Sequence, residues 1–214
     1  MRLKHFMRED YEADLVANNI KSFYKKYKLY LYIGLFGFIV AFIGVYYWDK
    51  YQQKENLIGS KLYWEILEES NSHNQIQLAE LFIKQRPNDP YAGWVSLILM
   101  NHSLQKGNWQ GVDQYGQFIL RSNQPSTLYD AAHLLNARKA FIQKNGKAML
   151  LSLNKVKQEN NPMRLFLLGN AYQLLNEGHK AREYFNRSAD IISTDPYSEP
   201  VMKMIWYNQS KIKN

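Results

Sequence analysis

The chain has 214 residues, no cysteine, and a formal net charge of +8. Without cysteine there is no disulfide and no thiolate metal site. The charges are scattered with no dense basic block, which excludes a nucleic-acid-binding stripe and fits ordinary surface solubility.

Residues 1–28 hold seven Lys/Arg and four Asp/Glu. Val16, Ile20, Phe23, Tyr24 and Tyr27 recur at helical spacing beside Lys21, Lys25, Lys26 and Lys28. This predicts a short, basic, amphipathic helix suited to the inner membrane surface or to the cytosolic face of a membrane partner. Residues 29–48, LYLYIGLFGFIVAFIGVYYW, carry neither charge nor proline. As a helix the run is roughly 30 Å long, one hydrocarbon core. Tyr30 and Tyr32 flank one end, and Tyr46, Tyr47, Trp48 and Tyr51 the other, as suits rings at two membrane interfaces. The run is too long for the core of a cleaved signal peptide, and no small residues follow it. It reads as an uncleaved signal anchor. The lysines on its N-terminal side outweigh Lys50 and Lys54, so the N-terminus is expected in the cytoplasm and residues 49–214 across the membrane. Within the span, Gly37, Ala41 and Gly44 form one stripe of small residues, a candidate packing face for another membrane helix.

The exported part reads as helices throughout, with no strand alternation of useful length. Ile58, Leu62, Ile66 and Leu67 mark a first helix, and Leu78, Ala79, Leu81 and Phe82 a second, which stops at Arg86-Pro87-Asn88-Asp89-Pro90. Further helices are expected over Tyr91–Leu104, Trp109–Arg121, Leu128–Gln143, to about Lys157, Met163–Leu175, His179–Ile192 and Glu199–Lys211. They come in pairs joined by Gly or Asn turns, and Pro-containing breaks separate the pairs. Gly107, Gly146 and Gly178 lie 39 and 32 residues apart. That rhythm approximates the period of about 34 residues in tetratricopeptide repeats. The expected fold is therefore all-α: a single N-terminal transmembrane helix, then a tetratricopeptide-like solenoid of paired antiparallel helices. In the last pair Gly169 and Ala181 are expected at a close helix crossing, with Tyr172 and Phe185 filling the space around it.

No catalytic constellation is present. The five histidines are dispersed, no two of them sit at i, i+4 with a carboxylate as a zinc protease needs, and no Gly-rich phosphate loop follows a strand. No cofactor and no metal site is expected, and the chain reads as a non-enzyme. Binding is the expected work of such a solenoid, on the face lined by the first helix of each pair. Arg138 and Asn170 follow Ala137 and Gly169, one unit apart, and are expected to face that groove and hydrogen-bond a peptide. Trp94 and Trp109 are expected in the core.

The segments NIKSFYKKYK, PYAGWVSLILMNHSLQKGNWQGV, LLNARKAFIQKNGKA and LLGNAYQLLNEGHKAREYF, with the lone span, resemble the YfgM-like ancillary subunits of the bacterial SecYEG translocon. The resemblance implies a cytoplasmic N-terminus, an inner-membrane anchor and a periplasmic tetratricopeptide domain. The partners it implies are SecYEG and a periplasmic chaperone or peptidyl-prolyl isomerase, in a helper role toward newly exported proteins. The tail here, IWYNQSKIKN, is basic where that family commonly ends in an acidic helix. A scaffold of the same shape for outer-membrane assembly, pilus biogenesis or division is the main alternative. A periplasmic enzyme would instead need a closed polar pocket.

Overall fold

The structure is a computed structural model, and it describes residues 2–121, 124–193, 207–210 and 212. The chain divides into two compact units, Met1–Glu55 and Asn56–Asn214.

The first unit belongs to helix α1, Arg2–Glu68. Three separate segments were expected here, and one continuous helix is found. The reason is local: residues 49–56, DKYQQKEN, contain no proline or glycine and are rich in straight-chain helix formers. This is the one described helix long and apolar enough to cross a membrane. Its described apolar side chains over the uncharged stretch are exposed: Phe36 and Phe38 are each 70% exposed. Burying such a side chain is worth roughly 1.5–3 kcal/mol, so the surface calls for an apolar environment. A Cβ built on Gly34, Gly37 or Gly44 would meet nothing within 4 Å, so the small-residue stripe is open. On the lysine-rich side the Tyr24 and Tyr32 hydroxyls lie 2.9 Å apart and Lys26 Nζ sits 5.3 Å from the Tyr27 ring centroid. On the other side Lys50 Nζ sits 5.1 Å from the Tyr46 ring centroid. The side chains of Val16 and Ile20 lie outside the described ones.

The second unit begins with the end of α1 and continues through α2 (Ser72–Gln85), α3 (Ala92–Gln105), α4 (Trp109–Arg121), α5 (Ser126–Ile142), α6 (Gly146–Leu153), α7 (Pro162–Leu174) and α8 (Gly178–Ile192). Residues 207–210 form a further helical turn. Among the described residues there is no strand. Asn71 caps α2, its side chain accepting from the backbone N–H groups of His73 and Asn74 at 2.9 and 3.2 Å. Asn161 caps α7 in the same way, accepting from Arg164 N at 3.1 Å, and Pro162 fits the first helical position.

Three apolar cores run along the unit. The first joins Ile66 of α1 to Phe82 of α2 and Leu99 of α3. The second joins Met100, Ile119 and Leu128 of α3, α4 and α5. The third joins Ala137, Leu153, Leu165 and Phe185 of α5 to α8, with Ile212 packed against it. The first and second cores are thus each shared between one helix pair and the first helix of the next, and the third between two hairpins, as in a helical solenoid.

The turns inside the hairpins share one geometry, and it corrects the spacing read from the glycines. The left-handed residue of each turn is Gly107, Lys144 or Asn176, at φ of 69°, 56° and 61°. These are 37 and 32 residues apart. Each turn closes with a six-residue and a four-residue hydrogen bond that satisfy the last carbonyls of the helix. Asn108, Asn145 and Glu177 donate to Ser103, Ala140 and Tyr172 at 2.8, 2.9 and 2.9 Å. Gly107, Lys144 and Asn176 donate to Leu104, Phe141 and Gln173 at 3.2, 2.9 and 3.1 Å. Gly146 and Gly178 instead open α6 and α8. Gly146 is there for room, since a Cβ would come within 2.9 Å of the Ala171 carbonyl oxygen.

This register exposes a second regularity. Seven residues before each left-handed position stand Met100, Ala137 and Gly169, and nine after it stand Gly116, Leu153 and Phe185. Each hairpin therefore crosses with one small and one large side chain, but the large one changes sides. A Cβ on Gly116 would lie 3.1 Å from Met100 Cε, and one on Gly169 would lie 2.6 Å from the Phe185 ring. Ala181 is fully buried, as expected, while Tyr172 is half-buried and stacks on Tyr184 at 5.3 Å.

Helix α6 ends at Leu153, four residues earlier than expected. Two side chains from other helices hold the loop that replaces its last turn. Asp130 of α5, nearly buried, accepts from Lys157 N at 2.9 Å and Gln158 N at 3.1 Å. Arg164 Nε of α7 donates to the Leu153 carbonyl at 3.1 Å. Most of the expected last helix, with Val201, Met202, Ile205 and Trp206, lies outside the described residues, as does part of the break at residues 122–123.

Candidate protein-binding groove

The first helices of the hairpins are α3, α5 and α7, and they are set side by side by the shared cores. Counting back from the left-handed residues places Asn101, Arg138 and Asn170 at equivalent positions, six residues before each. Sequence reasoning paired Arg138 with Asn170 and missed Asn101, because Asn101 is out of register when the repeats are aligned on Gly107.

The structure treats the three differently. Arg138 is exposed and makes no ion pair with any described residue. It lines a groove of about 370 Å³ together with Asn101. Asn170 is 1% exposed, contrary to the expected groove-facing role. Its Nδ2 donates to the Phe166 carbonyl at 3.0 Å, and its Oδ1 has no partner among the described residues. The reason lies in its neighbours. The α7 residues Phe166 and Leu167 are 7% and 3% exposed, while their α3 equivalents, Leu97 and Ile98, are half-buried. The C-terminal segment also binds beside it, with Gln173 Nε2 donating to the Asn208 carbonyl at 3.4 Å.

The groove wall is apolar apart from those two side chains. Leu97 and Ile98 come from α3, and Ala131, Leu134 and Leu135 from α5. Met163 of α7 also lines it. Thirteen residues before each left-handed position stand Trp94, Ala131 and Met163. The small Ala131 between two large residues leaves the space open. Trp94 is 37% exposed, so it does not serve the core as expected; Trp109 is half-buried against the second core.

A model of the tetratricopeptide repeat-like domain matches residues 21–204. This chain belongs to the tetratricopeptide repeat-like family. Neither the curated proteins nor the solved structures contain a match.

A tetratricopeptide repeat-like domain is a scaffold for protein contacts, and the remaining surface of this one fits that work. Two clefts of about 510 and 710 Å³, the first mainly polar and the second mixed, are lined by residues of α2 and α4, and both include Gln110, Gln114 and Tyr115. In the first, the Tyr115 hydroxyl donates to Glu80 at 3.5 Å. Burial first, then the Glu80 charge, pushes the Tyr115 phenol above its ordinary range, so it remains a neutral donor. His133 of α5 is half-buried, and burial followed by the Lys155 charge lowers its imidazole pKa, with Asp130 opposing. No three described His, Asp or Glu residues are grouped to hold a metal ion. The groove between α3 and α5 offers apolar burial beside Arg138, which has no ion-pair partner among the described residues.

Proposed function

We propose that this chain is a single-pass membrane protein whose tetratricopeptide repeat-like domain binds other proteins and performs no chemistry itself. The open apolar groove on the first-helix face carries this reading: among the described residues it is a surface without a partner, and it is lined by Arg138, which has no ion-pair partner among them. The exposed apolar stretch of α1 supplies the anchor, and the excess of lysine before it favours a cytoplasmic N-terminus with the domain in a bacterial periplasm.

The resemblance to YfgM-like proteins supports a more specific role. The chain acts as an ancillary subunit of the SecYEG translocon, connecting it to a periplasmic chaperone or peptidyl-prolyl isomerase and to newly exported proteins. The stripe of Gly37, Ala41 and Gly44 docks the anchor against a membrane helix of that partner, and Arg138 contacts bound protein. Crosslinking in intact membranes, followed by purification in mild detergent and mass spectrometry, tests the role. Translocon and chaperone adducts support it. Adducts with outer-membrane assembly, pilus or division machinery assign the scaffold elsewhere. Digestion of intact spheroplasts with protease tests orientation: the domain must be cut from outside.

A further inference from the structure

We infer that the α3–α5 groove takes a short segment of a partner protein that offers two large apolar side chains and a carboxylate placed to meet Arg138. The inference rests on the protein-binding reading above and adds the chemistry of what is bound.

The volume limits the occupant. A groove of about 370 Å³ is near the small end for ligand sites, room for a few side chains and not for a folded element. Its lining limits the chemistry: Leu97, Ile98 and Leu134 present carbon, so the occupant inserts apolar groups. Its end sets the charge. Arg138 is exposed beside this apolar wall and has no acidic partner among the described residues. A guanidinium pairs a carboxylate through a two-pronged hydrogen bond, and more strongly where an apolar wall excludes water. Asn101, half-buried at the equivalent position of α3, can bond the backbone of the same segment. The site is limited to this interval, because the corresponding α7 residues Phe166, Leu167 and Asn170 are buried. Residues 49–214 carry 20 Lys/Arg against 15 Asp/Glu, so the field around the groove also favours an acidic segment.

The test uses the full chain in lipid nanodiscs on an array of randomised dodecapeptides, with hits measured by fluorescence anisotropy. Enrichment of paired large apolar residues with Asp or Glu is expected. Arg138→Glu should weaken those hits about tenfold or more and shift enrichment toward Lys and Arg. Ala131→Trp, which fills the groove, should weaken acidic and basic hits alike. Arg138 is exposed and has no ion-pair partner among the described residues, so its variant should melt like the parent. Absence of acidic enrichment, or the same enrichment after Arg138→Glu, overturns the inference. So does a dimer that Arg138→Glu converts to monomer, which makes a second copy the occupant. Binding to phosphatidylglycerol vesicles that depends on Arg138, with no peptide selected, overturns it in favour of lipid. If both variants still crosslink the same proteins in membranes while no acidic peptide is selected, this inference fails and the protein-binding role stands.

Discussion

A methyl group on Gly169 would lie 2.6 Å from Cδ1 and Cε1 of Phe185, the closest approach between α7 and α8 that these two side chains allow. Phe185 is fully buried and packs 5.7 Å from Phe166, so its ring has nowhere to retreat. At the matching crossing of α3 and α4 the roles are exchanged, and Gly116 faces the flexible end of Met100. Gly169→Ala is therefore expected to destabilise the domain by about 1–3 kcal/mol, the usual cost of overpacking, less the ~1 kcal/mol that alanine gains over glycine in a helix. Gly116→Ala should be near neutral or slightly stabilising, because a methionine terminus can move. Urea unfolding followed by circular dichroism compares the two. Equal losses would show that the large and small partners are not interchangeable in this way.

The three hairpin turns make a different prediction. Lys144 holds a left-handed backbone at φ 56°, where a side chain costs roughly 1–2 kcal/mol. Lys144→Gly is expected to raise stability by about 0.5–1 kcal/mol, offset in part by the greater freedom of glycine in the unfolded chain. Gly107→Val should cost at least as much as Lys144→Gly gains, because φ is 69° there and valine is β-branched. Thermal melts of the full chain decide it; an unchanged midpoint for Gly107→Val would remove the left-handed turn as the cause.

His133 gives the domain a pH dependence. Burial and the Lys155 charge hold its folded pKa below the unfolded value of about 6.5, with Asp130 pulling the other way. Above about pH 6.5 the imidazole is neutral in both states, and its full contribution is present. As pH falls below that, the unfolded chain takes up the proton first. Stability from this site then declines until the folded pKa is passed. Urea midpoints measured from pH 7.5 to 5 should fall more for the parent than for His133→Gln. Parallel curves would rule this histidine out. Asp130→Asn removes the opposing charge, so it should steepen the decline; it keeps an acceptor for only one of the Lys157 and Gln158 amides, so it is also less stable at every pH, and the slope with pH is what is compared.

In the anchor, Gly37 and Ala41 present a smooth, open stripe. Leucine at both positions keeps the span apolar but fills the surface through which a second helix would approach. Co-purifying membrane protein should fall several-fold while insertion is unchanged. Unchanged recovery would assign the stripe no docking role.

Much of the architecture was legible from residue order, because its causes are local. Uncharged residues 29–48, the prolines after α2, and the Asn-Gly and Lys-Gly turns each act within a few residues of themselves. Helix spacing of Leu165, Leu168 and Tyr172 marks the buried side of α7 without reference to any partner. What needed the folded chain were the properties set by distant neighbours. Alignment on Gly107, Gly146 and Gly178 failed because two turns place Lys144 and Asn176 in the left-handed position, so the repeats shift by two residues and Asn101 goes unnoticed. The first hairpin looked a poor match because its small residue, Gly116, sits on the second helix and its large one, Met100, on the first; only their sum is constrained by packing. Arg138 and Asn170 hold the same place in the repeat, yet one is exposed and the other buried. A repeat position specifies direction on a helix, whereas burial depends on which other helices and tail residues pack alongside it.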